Sequence, residues 1–195
     1  VLNTTFAKSI NRRDNEVIEK SKECKYINNF EANGSEVVIP NTIGKLKYLE
    51  DLYIGENDYA APIPKAIGKL TNLKYLDFSS SDLNGPIPEF IGKLTKLKKL
   101  WLINNKLSGP IPEFLGNLTN LELLIISGND FSGPLPNSIG KLTKLKILQI
   151  SEDNLSGQIP ESIGNLTKLE HLELKGNLSG SIPESIGNLT KLQIM

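Results

Sequence analysis

The sequence contains few of the residues on which catalytic and metal centres depend. In 195 residues it has one histidine, His171, and one cysteine, Cys24. A histidine-based metal cluster is therefore excluded, and a Ser-His-Asp set has one candidate histidine with no serine motif near it. The G-x-x-x-x-G-K-[ST] spacing of a phosphate-binding loop is also absent. We predict that the protein is not an enzyme and that it holds no metal and no cofactor.

The single cysteine excludes an internal disulfide framework. We expect Cys24 to be a buried, unreactive thiol, because free cysteine packs as a small apolar residue. The alternative is a thiol that pairs with another chain or reacts.

The chain also lacks net charge and long apolar runs. Lys+Arg and Asp+Glu each number 22, so we expect electrostatic recognition to be local, and the lysine-rich segment 93–99 lacks the stacked aromatic residues of a nucleic-acid site. No apolar run approaches the roughly 18 residues of a membrane helix, so we expect no direct membrane insertion. The first 16 residues lack the basic start and apolar centre of a signal peptide. The chain begins with Val1, which fits a mature form, an expressed fragment or part of a longer protein.

The sequence is rich in one repeated frame of 24 residues. The centre of each copy, L-x-x-L-x-L/I, predicts a short strand whose last two apolar residues share one face and point inward. One such unit cannot bury its apolar edge alone, whereas stacked units can, so the period predicts a solenoid. The frame fits 39–62, 63–86, 87–110, 111–134 and 135–158, a copy one residue shorter fits 159–181, and a seventh copy begins at Ile182.

Each predicted strand is followed by a polar slot and a return segment. An asparagine suits the slot because its amide bonds backbone groups that no strand ladder satisfies. A Gly-Pro or Gly-polar break and Ile-Pro come next, and Ile-Gly-x-Leu-Thr is predicted to return as a short helical or extended arm. The slot holds Asn57, Ser81, Asn105, Asn129, Asp153 and Asn177.

This frame resembles the plant-type subclass of leucine-rich repeats. The segment NKLSGPIPEFLGNLTNLELL, residues 105–124, follows L-x-x-L-x-L-x-x-N-x-L-S-G-x-I-P-x-x-I-G-x-L-x-x-L nearly letter for letter, and the match extends from about Ile39 to Met195. The resemblance implies an α/β solenoid: a right-handed superhelix with a parallel β-sheet on its concave face and short helical or extended segments on its convex side. This subclass is similar to receptor-kinase ectodomains and to polygalacturonase-inhibiting proteins. The resemblance implies that ligands bind on the face of the solenoid that the strands form.

The resemblance further implies a secreted or cell-surface protein. Extracellular members of the family usually have paired cysteines in the N-terminal cap, and this chain departs from them with Cys24 alone. An intracellular location therefore stays open. Fold alone does not choose between a receptor ectodomain and an inhibitor.

We expect two regions in the chain, an N-terminal cap at 1–38 and the repeats at 39–195. The charged segment 14–25 is expected to form a short helix within the cap, and a partner-binding arm is the alternative to a cap. At the other end, we expect an open apolar strand edge, which further repeats or a partner would cover.

The alternation within each strand predicts which side chains point outward. Five apolar residues on adjacent strands form a patch in the middle of the sheet, and such a patch usually marks an interaction site. The alternative is that these residues only favour strands. We predict that the face binds a protein or peptide without changing it chemically. The predicted ligand-binding residues are Tyr53, Tyr75, Asp77, Lys99, Trp101, Ile103, Leu123, Ile125, Ile147, Gln149, His171 and Glu173.

Two other functions are consistent with the same repeats. A structural or assembly subunit would use the open C-terminal end as its contact. An ice-binding protein would use the threonine of each L-T-x-L turn, at positions 71, 95, 119, 143, 167 and 190. Of seven N-x-S/T sequons, only Asn3 and Asn33 are independent of the repeat, and these two are the predicted glycosylation sites.

Overall fold

The computed structural model describes residues 24–27 and 39–194, and this part of the chain is a stack of repeats. Its main sheet is parallel throughout and runs in the order β1-β2-β3-β5-β7-β9-β10. The strands are β1 Tyr26–Ile27, β2 Asp51–Tyr53, β3 Tyr75–Asp77, β4 Asn84–Gly85, β5 Lys99–Ile103, β6 Lys106–Gly109, β7 Leu123–Ser127, β8 Asp130–Gly133, β9 Ile147–Gly157 and β10 His171–Leu178.

The apolar residues of L-x-x-L-x-L/I form the core. In β5 the burial pattern alternates, so Leu100 and Leu102 point inward while Lys99, Trp101 and Ile103 are half-buried on the outer side. The same alternation holds in β7. These findings confirm the predicted strands and the predicted leucine-rich-repeat solenoid.

The predicted return arms are 3₁₀ helices. Each follows a proline in extended conformation, which lacks a backbone donor and so suits the first turn of a helix. The helices are Asn41–Lys45, Lys65–Lys69, Glu89–Lys93, Glu113–Asn117, Asn137–Lys141, Glu161–Asn165 and Glu184–Asn188 in the described residues.

Glycine in each return arm lets neighbouring turns of the solenoid approach closely. A Cβ on Gly140 would lie 2.4 Å from the carbonyl oxygen of Ser162, and one on Gly116 would lie 2.6 Å from the Cβ of Ser138. Side chains do not tolerate such contacts, so the Ile-Gly-x-Leu frame specifies the stacking distance as well as the core.

A second parallel ladder lies beyond the main sheet, and the sequence analysis missed it. Strand β4 pairs with β6, β6 with β8, and β8 with the C-terminal part of β9. The x-L-S-G segment between the polar slot and the Gly-Pro break, for which no strand was predicted, therefore contains a short strand. Its apolar residue enters the core, as Leu83, Leu107, Phe131 and Leu155 do.

Asparagine side chains join successive turns where the two ladders meet. The amide of Asn105 donates to the carbonyl oxygens of Phe78 (2.8 Å) and Ile103 (2.9 Å), and its Oδ1 accepts from the backbone N–H groups of Ser81 (3.1 Å) and Leu83 (3.0 Å). All four hydrogen bonds of the amide are made, which is what a buried amide requires.

One turn later, the side chain that joins the two successive turns is not the predicted one. The backbone N–H of Asn129 donates to the carboxylate of Glu152, 2.9 Å from Oε2, and Glu152 is only 3% exposed. The expected slot was Asp153. In the earlier turns the residue before the slot has a left-handed φ, as Asn104 (50°) and Gly128 (66°) do, whereas Glu152 lies within β9 without a positive φ and is buried.

The described part of the N-terminal region contributes β1 to the main sheet. Tyr26 pairs with Asp51, and Cys24 and Ile27 are buried in the core. Cys24 is a free cysteine whose pKa is raised by burial, as expected of an unreactive thiol. Of the predicted helix at 14–25, only Cys24 and Lys25 lie within the described residues, and neither is helical.

At the C-terminal end, Ile194 begins to pair with His171 in a parallel bridge. Ile182 and Ile194 are 61% and 56% exposed, and Leu174, Ile186 and Leu192 are only partly buried against the core. The expected apolar opening is therefore present in the described chain. Within the described residues no helix is long and apolar enough to cross a membrane.

Candidate functional site

The outward residues of the main sheet form aligned rows, because the strands pair in register. The first row joins Tyr75, Lys99, Leu123, Ile147 and His171, and the second joins Asp77, Trp101, Ile125, Gln149 and Glu173. Tyr53 heads the second row, and Ile103 lies in a third row beside Ser127. All twelve residues of the predicted site are half-buried on this one surface, which we call the strand face. Their role in binding stays a prediction.

The structure adds three residues to the first row. Asp51 precedes Tyr75, Tyr26 precedes Asp51, and Ile194 follows His171. Tyr26 is 58% exposed, so its ring is available at the N-terminal end of the strand face. Tyr26 escaped the sequence analysis because it lies outside the 24-residue frame, in a strand of two residues.

Carboxylates and aromatic rings alternate at the N-terminal end of the strand face. Asp51 lies between Tyr26 and Tyr75 in the first row, and Asp77 lies between Tyr53 and Trp101 in the second. We call these six residues the acidic aromatic zone.

Burial raises the pKa of Asp51, and the neighbouring charge of Glu50 raises it further. Burial is also the first cause of the raised pKa of Tyr53, followed by the charges of Asp51 and Asp77. The Oδ1 atom of Asp77 accepts hydrogen bonds from the backbone N–H (2.8 Å) and the hydroxyl (2.5 Å) of Ser79. A cation bound next to Asp51 would stabilise the charged form of its carboxylate, which burial disfavours.

Lys99 marks the boundary between the acidic aromatic zone and the apolar middle. Its Nζ lies 5.5 Å from the ring centroid of Tyr75 and 5.9 Å from that of Trp101. Both distances suit a cation–π interaction. The rings at this boundary therefore already present their faces to a cation of the same chain.

The apolar middle combines Trp101, Ile103, Leu123, Ile125 and Ile147. Trp101 pairs with Ile125, and Leu123 pairs with Ile147, on neighbouring strands. Directly opposite side chains on neighbouring strands lie about 5 Å apart, so these residues form one continuous surface.

A charged group follows at the C-terminal end of the face. Glu173 accepts from Lys175 (2.6 Å) and from the hydroxyl of Ser151 (3.1 Å), and these two bonds, in this order, are the main causes of its lowered pKa. The Nε2 atom of His171 is buried without a hydrogen bond, 3.6 Å from Glu173. An open cavity of about 420 Å³ lies beside this group, bounded also by Leu174, Ile182 and Ile186.

The geometry brings together no catalytic set in the described residues. Ser151 donates its hydroxyl to Glu173 rather than to His171, so the described residues do not form a Ser-His-carboxylate relay. No group of three or more His, Cys, Asp or Glu side chains within 24–27 and 39–194 is arranged to hold a metal ion.

The six threonines of the L-T-x-L turns are exposed and lie on the side of the solenoid that precedes the strands. They form a single file, as expected. Asn3 and Asn33, the predicted glycosylation sites, lie outside the described residues. Asn117, Asn165 and Asn188, which carry repeat-derived sequons, are exposed.

Comparisons with known proteins agree with this architecture. A model described as "Leucine-rich repeat region" matches residues 1–132, and one described as "Leucine Rich Repeat" matches 144–166 and 168–189. The chain belongs to the leucine-rich repeat family. A search of curated proteins returns no match.

Solved structures similar to this leucine-rich repeat chain include receptor-kinase ectodomains of Arabidopsis thaliana. The ectodomain of GASSHO1/SCHENGEN3, in complex with CASPARIAN STRIP INTEGRITY FACTOR 2, is 36% identical with a TM-score of 0.79 over 81% of this chain and 19% of that one. Arabidopsis HAESA, in complex with the peptide hormone IDA and the co-receptor SERK1, is 36% identical with a TM-score of 0.77 over 81% and 27%. This chain spans about a fifth to a quarter of the length of those proteins.

A plant ice-binding protein is also similar, at 27% identity and a TM-score of 0.63 over 80% of this chain and 66% of that one. The same repeat architecture therefore occurs in proteins whose names describe different ligands.

Proposed function

We propose that this leucine-rich repeat domain binds an extended peptide or a protein segment on the strand face and does not alter it chemically. The observation that carries the proposal is the continuous apolar surface of Trp101, Ile125 and the residues beside them, which lies on a regular sheet rather than in the core. Exposed apolar residues at the centre of a polar surround are the usual anatomy of an interaction site.

The rows of the strand face suggest the chemistry of the ligand. A basic side chain fits the acidic aromatic zone, because Asp51 supplies negative charge and the tyrosines beside it supply ring faces. Apolar side chains fit the next strands along the face, over Trp101 and Ile125. We therefore propose a ligand with a basic residue at one end and apolar residues in the middle.

The solved neighbours support this proposal at a coarser level. HAESA is described as a receptor kinase in complex with the peptide hormone IDA, and RGFR1 as a plant peptide hormone receptor in complex with RGF2, and both descriptions support peptide recognition by this fold in general. By the same comparison we propose a secreted or cell-surface location for the domain.

The test begins with a displayed library of random peptides selected on the whole chain. The affinity of selected peptides is then measured for Trp101→Ala and for the triple variant Trp101→Ala/Ile125→Ala/Ile147→Ala. We expect Trp101→Ala alone to cost about 2 kcal/mol, roughly thirtyfold in Kd, because a large aromatic anchor dominates such surfaces. Selected peptides should be enriched in basic residues, and Asp51→Asn should weaken those that carry one.

Tyr48→Ala is the matched control. Tyr48 is 57% exposed, but it lies in the turn before β2 rather than on the strand face. Its substitution removes an exposed aromatic ring and should leave affinity within about twofold. If the triple variant binds the selected peptides as tightly as the wild type, the strand face is not the site.

An assembly role through the C-terminal end is a second candidate. The exposure of Ile182 and Ile194 beside the open cavity favours it. Sedimentation of the wild type and of Ile182→Ser/Ile194→Ser distinguishes the two. Self-association that this variant abolishes would support assembly, whereas a monomer at all concentrations would exclude self-assembly through this end.

Ice binding is the remaining candidate, favoured by the exposed file of threonines and by one solved neighbour. A buried leucine precedes every threonine of the file, and a lysine or an asparagine follows it. An assay of ice recrystallisation with Thr95→Lys/Thr119→Lys decides it: inhibition that the variant loses would support ice binding.

A further inference from the structure

The positive charges of the repeats are concentrated in one set of equivalent segments, although the chain has no net charge. The segments that run from the last residue of each 3₁₀ helix to the start of the next strand hold twelve lysines and three glutamates, a formal charge of +9. The rest of 39–194 holds four lysines and thirteen carboxylates, a formal charge of −9. We call the first surface the lysine edge; it comprises 45–50, 69–74, 93–98, 117–122, 141–146, 165–170 and 188–193.

These segments form one edge because the strands that follow them are parallel and in register. Hydrogen bonds between successive turns hold the alignment. Lys96 donates to Oδ1 of Asn72 (2.7 Å), and Lys144 donates to Oδ1 of Asn120 (2.6 Å). The amide of Asn72 in turn donates to the carbonyl oxygen of Lys47 (2.6 Å). The lysines are thus ordered by neutral partners that leave their charge in place.

Most of the charge on this edge is available to a partner. Eleven of the twelve lysines are exposed, and Lys74 is half-buried. In the described part of the chain, Lys74 and Lys146 pair with Glu50 and Glu122, and none of the other ten makes an ion pair. A row of like charges with so few counter-charges produces a positive potential along the edge.

We propose that the lysine edge binds a linear acidic polysaccharide, a polyuronate whose carboxylates recur along a hydroxyl-rich chain. Seven turns spaced about 4.8 Å apart extend over roughly 29 Å, so the edge matches a polymer better than a single small anion. Asparagine and lysine alternate at one position of four successive repeats, Asn72, Lys96, Asn120 and Lys144, and amides suit sugar hydroxyls as lysines suit carboxylates. This proposal is independent of the strand face.

Other polyanions fit the edge less well. Nucleic-acid surfaces place aromatic rings beside their cations so that bases stack on them, and Tyr48 is the sole aromatic residue of these segments. An anionic membrane would be bound by cations together with apolar side chains that insert, and this edge exposes no apolar cluster in the described residues.

The test measures binding of fluorescent alginate, a polyuronate, to the whole chain made without glycans, by fluorescence anisotropy at low salt. We compare Lys93→Gln/Lys141→Gln, on the lysine edge, with Lys65→Gln/Lys106→Gln, outside the segments of that edge. Both pairs remove two positive charges from exposed positions. We expect the first pair to raise Kd about fivefold or more, the second to change it less than twofold, and physiological salt to weaken binding because it screens the charges.

Three further probes complete the test: uncharged dextran, a single-stranded DNA oligonucleotide and phosphatidylserine vesicles. Dextran should not bind, and DNA and vesicles should bind more weakly than alginate. The proposal is overturned if alginate does not bind at low salt, if both lysine pairs lower its affinity equally, or if DNA or vesicles bind more tightly. Trp101→Ala should leave alginate binding unchanged, so that this proposal and the strand-face proposal succeed or fail separately.

Discussion

The middle turns of the solenoid and its C-terminal turn share one sequence frame but differ in how completely that frame is packed. Leu102 is 1% exposed, whereas Leu174, in the same slot three turns later, is only partly buried. Asn105 is buried with four hydrogen bonds, whereas Asn177 in its slot is exposed. The repeat frame determines which residue points inward. The neighbouring turn determines how deeply that residue is buried, and therefore how much it contributes to the stability of the fold. Substitutions in matched slots should therefore have unequal effects.

The largest difference is expected in the core. Leu102→Ala should lower the free energy of unfolding by about 3 kcal/mol or more, because it leaves a cavity among buried leucines. Leu174→Ala should cost less than half as much, since its site is already open on one side. Urea denaturation followed by circular dichroism measures both, and equal losses would contradict the comparison.

Substitutions in the asparagine slot should give the next largest difference in the free energy of unfolding between the two turns. Asn105→Ala leaves two carbonyl oxygens and two N–H groups without their partner, and we expect a loss of about 3 kcal/mol. Asn177→Ala should change the unfolding free energy by less than about 0.5 kcal/mol, as exposed substitutions usually do. The same denaturation measurement applies, and Asn105→Asp serves as a control that keeps the size of the side chain.

Substitution of the return-arm glycine should give a smaller difference in stability between a middle turn and the C-terminal turn. Gly140→Ala should cost about 2 kcal/mol, because the new Cβ would meet the Ser162 carbonyl at 2.4 Å. Gly187→Ala meets nothing within 4 Å and should be neutral or slightly stabilising, since alanine lowers the entropy of the unfolded chain. A thermal unfolding midpoint that falls equally in both variants would contradict the close stacking of the middle turns.

The smallest expected effect concerns glutamates that accept from the next return arm. Glu113 accepts from the backbone N–H groups of Asn137 (3.2 Å) and Ser138 (3.0 Å), and its pKa is lowered, chiefly by hydrogen bonding to Ser138. Glu161 makes the equivalent bond to Ser185 at 3.4 Å. Glu113→Gln should therefore destabilise the protein more than Glu161→Gln at neutral pH.

The lowered pKa of Glu113 determines how the effect of its substitution on stability changes with pH. A carboxyl group with a lowered folded-state pKa stabilises the fold above its unfolded-state pKa, and the contribution disappears as the pH falls through its folded-state pKa. The stability difference between wild type and Glu113→Gln should thus be largest near pH 7 and should vanish at acidic pH below both values. A difference that stays constant with pH would show that the carboxylate charge has no part in it.

Most of the strand face was predictable, because strand alternation alone assigns each residue a side. Trp101, Ile125 and Ile147 lie where period-two alternation places them, and their row neighbours follow from the constant repeat length. The second ladder was not predictable in this way. Its strands β4, β6 and β8 are two to four residues long and carry at most one large apolar residue each, such as Leu107 in β6, so they show no alternation.

The lysine edge is a second feature that the sequence alone did not predict. Each lysine is visible in the sequence, but the balanced total of 22 charges of each sign conceals their separation. Only the arrangement of helix, turn and strand assigns a charge to an edge. Strand β1 is a further case, because Tyr26 enters the sheet through pairing with Asp51 rather than through any repeat of its own.

The sequence by itself determined the solenoid, the inward leucines and the outward residues of each strand, because these depend on spacing within one repeat. The tertiary structure decided what depends on two repeats at once. It placed the carboxylate of Glu152 against the backbone N–H of Asn129, since Glu152 lacks the left-handed φ that Asn104 and Gly128 have at the equivalent position. It also aligned the lysines into one edge, since hydrogen bonds such as that from Lys96 to Asn72 join residues 24 positions apart. Contacts of that range exist only after the turns have stacked.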